Sequence, residues 1–254
     1  MNGEAIGWVL AGLAILLAAA SLPGTLEILL LTVGAILPPR RTTVPDRAPS
    51  LGAIAILVPA HDEAHGIAAT VASLRACDPG EGRFEVVVIA DNCGDATAEV
   101  ARSAGARVIE RQDPQRRGKG YALDFAFTRL LDEPFDAFIV VDADSRVEPN
   151  LVTEVRRLLA GGAAAVQCRY QIANPAASLR ARLMAIAWMA FNVLRPRGRE
   201  RWGLSVGILG NGFALTRATL AAVPYRAASL VEDLEYHLRL IDSGRRVAFA
   251  TATG

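Results

Sequence analysis

The feature that most constrains the fold is an alternation of short apolar stretches and helical patterns that begins at Leu51. Ala53 to Val58 and Phe84 to Ala90 are mostly apolar, and each is followed by a polar loop and then a helical period. Val108-Ile109 is a third, shorter stretch of the same kind. Strands and helices that alternate at this spacing form a mostly parallel sheet with helices on both faces. The sequence therefore predicts an α/β domain.

The stretch from Phe138 to Val141 is predicted to be the central strand, because a wholly apolar run is typical of a strand covered on both faces. It ends in Asp142 and Asp144. Ligands gather at the carboxyl ends of the strands in such sheets, and Mg²⁺ or Mn²⁺ would explain two carboxylates beside a dry core. We therefore predict that Asp142 and Asp144 bind a divalent metal. In the alternative interpretation, Asp144 begins a turn and caps the next helix.

Several predicted strands deliver polar loops to the same edge of the sheet. These loops are His61 to Glu63, Asp91 to Asp95, and Asp142 with Asp144. Three stretches partly resemble other known motifs but do not match them. The stretch His61 to His65 has its Glu one position too late for a zinc protease, Arg116 to Gly120 lacks the spacing of a P-loop, and Gly207 to Gly212 does not follow a first strand.

Composition excludes several classes of protein. With 254 residues, of which 52% are apolar, the chain can bury a sizeable core. The net charge is +1 and the charges are interspersed, so we expect no nucleic-acid partner. Cys77, Cys93 and Cys168 are widely spaced and lack a CxxC pair, which argues against a disulfide framework and a structural zinc site and fits a reducing compartment.

The N-terminal stretch Ile6 to Leu37 is nearly all apolar, with Glu27 as its single charge, and is long enough to span a bilayer. Pro23-Gly24 is predicted to kink or break the helix there. A cleaved signal peptide is the alternative, but no basic residue precedes the apolar run. We therefore expect a membrane anchor over residues 1–38.

The residues after the anchor predict its orientation. Arg40, Arg41 and Arg47 follow the apolar run, so the positive-inside rule places the remainder of the chain in the cytoplasm. The Pro-rich residues 39–50 are predicted to be a linker, and residues 51–254 the catalytic domain.

Six motifs occur in the order found in one enzyme family. They are Val58 to Ala64, Ala90 to Thr97, Arg117 to Gly120, Val141 to Asp144, Leu209 to Gly212, and Val231 to Asp233. Together they resemble the motifs of family 2 glycosyltransferases, the inverting GT-A group that includes cellulose- and hyaluronan-synthase-like enzymes. The resemblance extends from about Leu51 to the end of the chain. It implies a GT-A fold and a nucleotide-sugar donor, usually a UDP-sugar.

The resemblance also implies roles for individual residues. Asp91 would contact the uracil, Asp142 and Asp144 would hold the ribose and the metal-bound diphosphate, and Lys119 would lie near the nucleotide as a positive group. The implied donor-side residues are Ala60, His61, Glu63, Asp91, Lys119, Asp142 and Ala143, and the implied acceptor-side residues are Asn211, Gly212 and Glu232. The family often has two adjacent aspartates where this chain has Ala90-Asp91, which would weaken one nucleotide contact.

Asp233 is the predicted catalytic base. A sugar diphosphate leaves when its developing charge is neutralised, which a metal achieves, while the acceptor hydroxyl needs a base on the opposite face. In the alternative interpretation, Asp233 is a first-turn acid favoured by the helix dipole, and Ser229 caps that helix.

The stretch from Ala176 to Leu194 has a helical period of apolar residues, and four arginines follow it: Arg195, Arg197, Arg199 and Arg201. Two interpretations remain open. The stretch is either an interfacial helix with a basic flank on anionic lipid or a core helix followed by a solvated loop. The resemblance implies that this region faces the acceptor, which would suit a lipid or a glycan.

One motif of the synthase-like members, QxxRW, is missing because the chain ends at Gly254. The predicted last strand, Val247 to Ala250, also ends without a partner element, so we expect a piece of a longer enzyme on the cytoplasmic face of a bacterial-type inner or plasma membrane.

Two other functions are possible alternatives for this chain. A nucleotidyltransferase would need a Gly-rich basic loop where this chain has Pro59 to Glu63, and a non-catalytic nucleotide-sugar-binding protein would not depend on Asp233.

Overall fold

The computed structural model describes residues 3–38, 51–226 and 231–251, so the predicted linker lies outside the described residues. Its helices are α1 (Gly3–Ile36), α2 (Ile67–Arg75), α3 (Thr97–Ser103), α4 (Lys119–Leu130), α5 (Leu151–Ala160), α6 (Leu179–Met189), α7 (Arg195–Arg201), α8 (Arg217–Ala222) and α9 (Glu232–Asp242). Its strands are β1 (Ala53–Ala60), β2 (Arg83–Asp91), β3 (Arg107–Arg111), β4 (Ala137–Val140), β5 (Ala165–Cys168), β6 (Phe213–Thr216) and β7 (Val247–Ala250).

The seven strands form one sheet in the order β3-β2-β1-β4-β6-β5-β7. Strand β6 runs antiparallel to both of its neighbours and the other pairings are parallel, so the predicted mostly parallel sheet is confirmed. The prediction that the last strand lacks a partner element was wrong. Val247 lies opposite Ala165, because β7 pairs in parallel with β5 at the edge of the sheet.

Helices cover both faces of the sheet because successive side chains of each strand point to opposite sides. Ala55 and Leu57 of β1 belong to the apolar layer under α4, α8 and α9. Ile54 and Ile56 belong to the layer under α2, α3 and α5. Every residue of β4 is fully buried, which confirms that the central strand is covered on both sides.

The polar loops meet at one edge of the sheet. Strands β1, β2 and β4 are parallel and end there, and the antiparallel strand β6 begins there. The loop of residues 209–212, which precedes β6, therefore lies beside the loop that follows β4. The Gly212 N–H donates to the Val140 carbonyl (3.0 Å) and joins the two loops at their bases.

Helix α1 is continuous from Gly3 to Ile36 with Pro23 inside it, so the predicted break there was wrong, while the predicted kink stays a prediction. Proline removes one N–H and crowds the carbonyl of the residue four positions earlier, and the hydrogen bonds on both sides of it continue the helix. Among the described residues this is the one helix long and apolar enough to cross a membrane. Its side chains are largely exposed, as at Trp8 (79%) and Ile28 (67%).

The C-terminal part of α1 packs against α7. A Cβ atom on Gly198 would lie 2.2 Å from the Leu31 carbonyl oxygen, so the two helices touch at their backbones. The Trp202 indole N–H donates to the Leu30 carbonyl (2.8 Å). These contacts attach the apolar helix to the α/β domain.

Helix α6 leads through a π-type turn, Ala190–Leu194, into α7. None of its residues is buried, and Leu179, Leu183 and Ile186 are between 60% and 73% exposed. The interpretation of this stretch as a core helix was therefore wrong. The helix lies outside both apolar layers of the sheet, so its apolar side chains have no core to enter. The interfacial interpretation stays a prediction.

Candidate active site

A pocket of about 330 Å³ opens at the polar edge, beside the ends of β1 and β2. Its lining residues are Pro59, Ala60, His61, Asp91, Asn92, Arg117, Gly118, Lys119 and Ala122. Four of the predicted donor-side residues are therefore brought together here. The other three, Glu63, Asp142 and Ala143, are not among the lining residues. Glu63 lies where the chain enters α2, and Ala143 is buried, with its carbonyl accepting from the Thr70 hydroxyl (2.6 Å).

Asp91 is held in place by a buried arginine. Arg111, the last residue of β3, donates through Nη1 to Asp91 Oδ1 (2.6 Å), and both side chains are less than 10% exposed. The same nitrogen donates to the Arg116 carbonyl (2.8 Å). Arg111 is not among the residues predicted from the sequence. The signal that could have found it is a charged residue at the end of a short apolar strand, because a charge in such a buried position needs a partner of opposite charge.

His61 connects the loops that follow β1 and β2. Its Nδ1 donates to the Asp91 carbonyl (2.8 Å). The neighbouring Asp62 accepts from the Gly94 N–H through Oδ1 (2.7 Å). These two bonds fix the wall of the pocket at the ends of adjacent strands.

Lys119 lies between this pocket and the Asp142-Ala143-Asp144 segment. Its ammonium group donates to Asp142 Oδ1 and to the Gly210 carbonyl (2.5 Å). It is the first residue of α4, and the preceding Gly118 has φ +116°, a conformation that favours glycine. One cation therefore contacts both the carboxylate after β4 and the loop before β6.

Asp144 is exposed, and no described residue donates a hydrogen bond to its side chain. It does not cap the next helix, because α5 begins seven residues later with Asn150 as its N-cap residue. Asp142 is half-buried, and its backbone N–H donates to Asn211 Oδ1 (3.0 Å). The two carboxylates fit Mg²⁺ or Mn²⁺, since these hard cations take oxygen ligands from one or two carboxylates and keep other positions for water and phosphate.

Asp233 faces the loop of residues 209–212 from the first turn of α9. The Tyr225 hydroxyl donates to its Oδ1 (3.4 Å). The pKa of Asp233 is raised above its ordinary value, chiefly because the side chain is partly buried. The negative charges of Glu232 and Asp142 raise this pKa further, whereas the charge of Lys119 and the Tyr225 hydrogen bond lower it. The predicted cap Ser229 lies outside the described residues. Tyr225 was missed by the sequence analysis, because nothing in the local pattern distinguishes it from an ordinary core tyrosine.

The predicted acceptor-side residues Asn211 and Gly212 contact the segment that follows β4. Asn211 binds the Asp142 backbone through Oδ1 and donates from Nδ2 to the Ser145 hydroxyl (2.9 Å). Glu232 is the half-buried residue immediately before Asp233. The edge of the sheet thus brings together a pocket, a lysine, two carboxylates and a partly buried acid with a raised pKa.

Comparisons with known proteins agree with this geometry. The family model described as "Glycosyltransferase like family 2" matches residues 49–253. The chain is 26% identical over 208 residues to the probable glycosyltransferase YdaM of Bacillus subtilis, covering 78% of this chain and 49% of that protein. It is 34% identical over 115 residues to the low-salt glycan biosynthesis hexosyltransferase Agl6 of Haloferax volcanii, covering 44% of this chain and 26% of that protein. The chain thus spans about half, or less, of the length of these curated relatives.

Solved structures show the same fold. The mannosyltransferase PcManGT from Pyrobaculum calidifontis, solved in complex with GDP-Man and Mn²⁺, superposes with a TM-score of 0.68 at 19% identity, over 94% of this chain and 65% of that one. Glucosyl-3-phosphoglycerate synthase from Mycobacterium tuberculosis, solved with Mn²⁺, UDP and phosphoglyceric acid, superposes with a TM-score of 0.55 at 23% identity, over 78% of this chain and 68% of that one. The predicted GT-A fold is confirmed.

Proposed function

Because this chain belongs to the glycosyltransferase-like family 2, we propose that it transfers a sugar from a nucleotide-sugar donor to an acceptor at the polar edge of its sheet. One observation carries the proposal. Lys119 contacts Asp142 and the Gly210 carbonyl, and Gly210 lies against Asp233, so the donor-side pocket and the candidate base belong to one continuous set of contacts.

We propose that the pocket binds the nucleoside of the donor, a UDP-sugar. Its volume is in the range of small-molecule sites. The pocket is lined by a fixed carboxylate, Asp91, at the end of β2 and by two cations, Arg117 and Lys119. A carboxylate accepts N–H groups of a base, and cations attract the diphosphate. The related structures were solved with GDP-Man and with UDP, which supports a nucleotide at this edge of the fold.

Asp142 and Asp144 would hold a divalent cation, Mg²⁺ or Mn²⁺. Such a cation, when bound, acts as a Lewis acid that neutralises charge on the diphosphate. Lys119 adds a second positive charge beside Asp142, because its ammonium group already lies in contact with that carboxylate. Both related structures were solved with Mn²⁺.

Asp233 would accept the proton of the acceptor hydroxyl as this hydroxyl attacks the sugar. A general base works best when its pKa is close to the working pH, and burial raises the pKa of Asp233 in that direction. A base on the face opposite the leaving diphosphate gives a single displacement, so we propose that transfer inverts the configuration of the sugar.

We propose further that the protein works at a membrane and transfers to a lipid or a glycan. The exposed apolar helix α1 and the exposed apolar residues of α6 support a position on the bilayer, with α6 at its surface. Arginines that follow α1 in the sequence would keep the α/β domain in the cytoplasm, on a bacterial-type inner membrane or a plasma membrane. Extraction with carbonate tests this proposal, because a spanning helix keeps the protein in the membrane whereas peripheral binding does not.

The transfer reaction is tested with the complete protein in membranes and a panel of nucleotide sugars. We expect one donor to give metal-dependent release of nucleoside diphosphate. Asp233→Asn should then lower kcat by about 10²- to 10⁴-fold while the affinity for UDP stays nearly unchanged. Glu235→Gln, which removes another acid from the first turn of α9, is the matched control and should retain activity within a few-fold.

Two results would contradict the proposal. If no donor releases its nucleoside diphosphate, the protein is not a sugar transferase of this kind. If Asp233→Asn turns over like the wild type, Asp233 is a structural residue at the start of α9, and Glu232 becomes the next candidate base.

A further inference from the structure

Gln167 is a fully buried polar residue in β5, next to the site but outside the pocket. Its Nε2 donates to the carbonyls of Asn211 (2.7 Å), Gly212 (3.2 Å) and Cys168 (3.0 Å). Its Oε1 accepts from the Leu209 N–H (2.9 Å). One amide side chain therefore holds both ends of the loop of residues 209–212.

This loop would not hold its shape by itself. Gly210 has φ +85° and Gly212 has φ +67°. Because glycine has no Cβ atom, its backbone can adopt many other conformations at little cost. A second bond, from the Tyr170 hydroxyl to the Leu209 carbonyl (3.2 Å), reaches only the first residue of the loop. At its far end the loop is held by Gln167, by the pairing of Gly212 with β4 and β5, and by the Asn211 side chain, which bonds the segment after β4. Gln167 contacts both ends of the loop.

The loop contacts three groups of the proposed active site. The Gly210 carbonyl accepts from Lys119, Asn211 Oδ1 accepts from the Asp142 N–H, and Gly210 lies against the Asp233 carboxylate. We propose that Gln167 is a positioning residue that sets the relative placement of Lys119, Asp142 and Asp233 through this loop. The kinetic part of this inference rests on the proposed function, and the structural part does not.

The chemistry of the amide distinguishes this role from simple space filling. An amide both donates and accepts, so it can bind carbonyls and an N–H at once. Gln167→Met keeps a similar volume but offers neither. Gln167→Glu keeps the shape, but its ionised carboxylate would face the Asn211 and Gly212 carbonyls, whereas its protonated form recovers one donor.

The experiment combines kinetics with hydrogen exchange in the complete protein. In Gln167→Met we expect kcat to fall by about 10²-fold, with a smaller change in KM for the donor, because misplaced groups lose transition-state stabilisation more than nucleoside binding. The Leu209 amide should also exchange faster. In Gln167→Glu the carboxylate still accepts from the Leu209 N–H, so the readout there is the Gly212 amide. Its protection, taken relative to the intrinsic exchange rate at the same pH, should be low at neutral pH and should rise as the pH is lowered and the new carboxyl group is protonated.

Thr219→Val is the matched control. Thr219 is 3% exposed, and its hydroxyl oxygen accepts a part-buried hydrogen bond from the Thr216 hydroxyl (2.8 Å) at the opposite end of β6, which the valine removes. It should lower the melting temperature but leave kcat and Leu209 exchange unchanged.

The outcomes separate the two proposals. Unchanged Leu209 exchange in Gln167→Met overturns the role of Gln167. If the methionine variant does not fold, unchanged Gly212 protection in Gln167→Glu at neutral pH overturns it. Faster exchange with unchanged kcat overturns its effect on catalysis. If the wild type transfers no sugar, the proposed function fails, while the exchange measurement still decides whether Gln167 holds the loop.

Discussion

Asp233 Oδ2 lies 2.6 Å from the point that a Cβ atom on Gly210 would occupy. The loop before β6 and the start of α9 therefore meet with no space for a side chain between them. The same glycine offers its carbonyl to Lys119 (2.5 Å). A single backbone position thus separates the proposed base from the cation that contacts Asp142.

The first prediction follows from this contact. Gly210→Ala should displace the Asp233 carboxylate and lower kcat by about 10²-fold, since small misplacements of catalytic groups have effects of that size. Gly162→Ala is the control, because Gly162 has a similar φ (+95°, against +85° for Gly210) but nothing within 4 Å of a new Cβ atom. Both variants should lose about 1–2 kcal/mol of stability. Equal activity of the two in a nucleoside diphosphate release assay would contradict the close contact.

The second prediction concerns pH. The Tyr225 hydroxyl lowers the pKa of Asp233, so Tyr225→Phe should raise that pKa further. Because a base must be deprotonated to act, activity should be lost as the pH falls through the pKa of Asp233, and this limb of the kcat profile should move to higher pH in Tyr225→Phe. Tyr236→Phe is the control. Its hydroxyl donates to the Val223 carbonyl (2.9 Å) in the same aromatic cluster.

Both tyrosine substitutions should also lower the free energy of unfolding, and Asp233 makes that free energy depend on pH. Each should lose about 1 kcal/mol with the hydrogen bond of its hydroxyl, which is part-buried for Tyr225 and buried for Tyr236. The raised pKa of Asp233 means that the folded state binds this proton more tightly than the unfolded state. The carboxyl therefore destabilises the fold above its folded-state pKa, and this destabilisation disappears as the pH falls below the unfolded value. An unshifted kcat limb in Tyr225→Phe would remove Asp233 as the titrating base.

The third prediction concerns the proposed metal ligands. Asp144→Ala should abolish the metal dependence of donor binding, because the exposed Asp144 carboxylate would no longer be available to the cation. Calorimetric titration with UDP should then give the same affinity with and without Mn²⁺. Glu81→Gln removes an exposed acid before β2, at the other edge of the sheet, and should keep the metal response. A retained Mn²⁺ effect in Asp144→Ala would exclude Asp144 from the site.

The fourth prediction concerns the ion pair under the pocket. Arg111→Met should leave the Asp91 carboxylate buried without its partner, which typically costs about 3–5 kcal/mol of unfolding free energy. Arg107→Met is the control on the same strand. Its partner Glu133 (2.6 Å) is about one-third exposed, so this loss should be about 0–1 kcal/mol. Urea denaturation of both variants measures the difference, and similar midpoints would show that the Asp91 pair is solvated.

The fifth prediction concerns the attachment of α1. Gly198→Ala should separate α1 from α7, because the new methyl group would overlap the Leu31 carbonyl oxygen (2.2 Å). We expect a loss of about 1–3 kcal/mol from this overpacking. Gly12→Ala adds the same methyl group to α1 with nothing within 4 Å, so it should be neutral or slightly stabilising. Thermal unfolding of the full chain in detergent compares them; an unchanged melting temperature in Gly198→Ala would mean that the helices are not packed there.

Local patterns determined much of the fold. The apolar run of β4 and its two aspartates are recognisable in the sequence because a strand buried on both faces needs uninterrupted apolar residues over a few positions. The alternation of strands and helices likewise predicted the parallel sheet and the edge at which the loops of His61 and Asp91 meet, whereas the place of Lys119 beside them was implied by the family resemblance. These signals depend on neighbours in the chain, so they are visible without the tertiary structure.

The tertiary structure alone decided contacts between residues that are distant in the chain. Asp91 and Arg111 lie on adjacent strands, and Gln167 binds a loop more than forty residues later. No periodicity encodes such pairings, because they arise when the sheet brings separate segments together and buried polar groups must then find partners. For the same reason the partner of β7 was misjudged, and the sequence left open whether α6 is exposed or belongs to the core. Whether an apolar strand or helix is covered depends on what packs beside it, which its own residues do not specify.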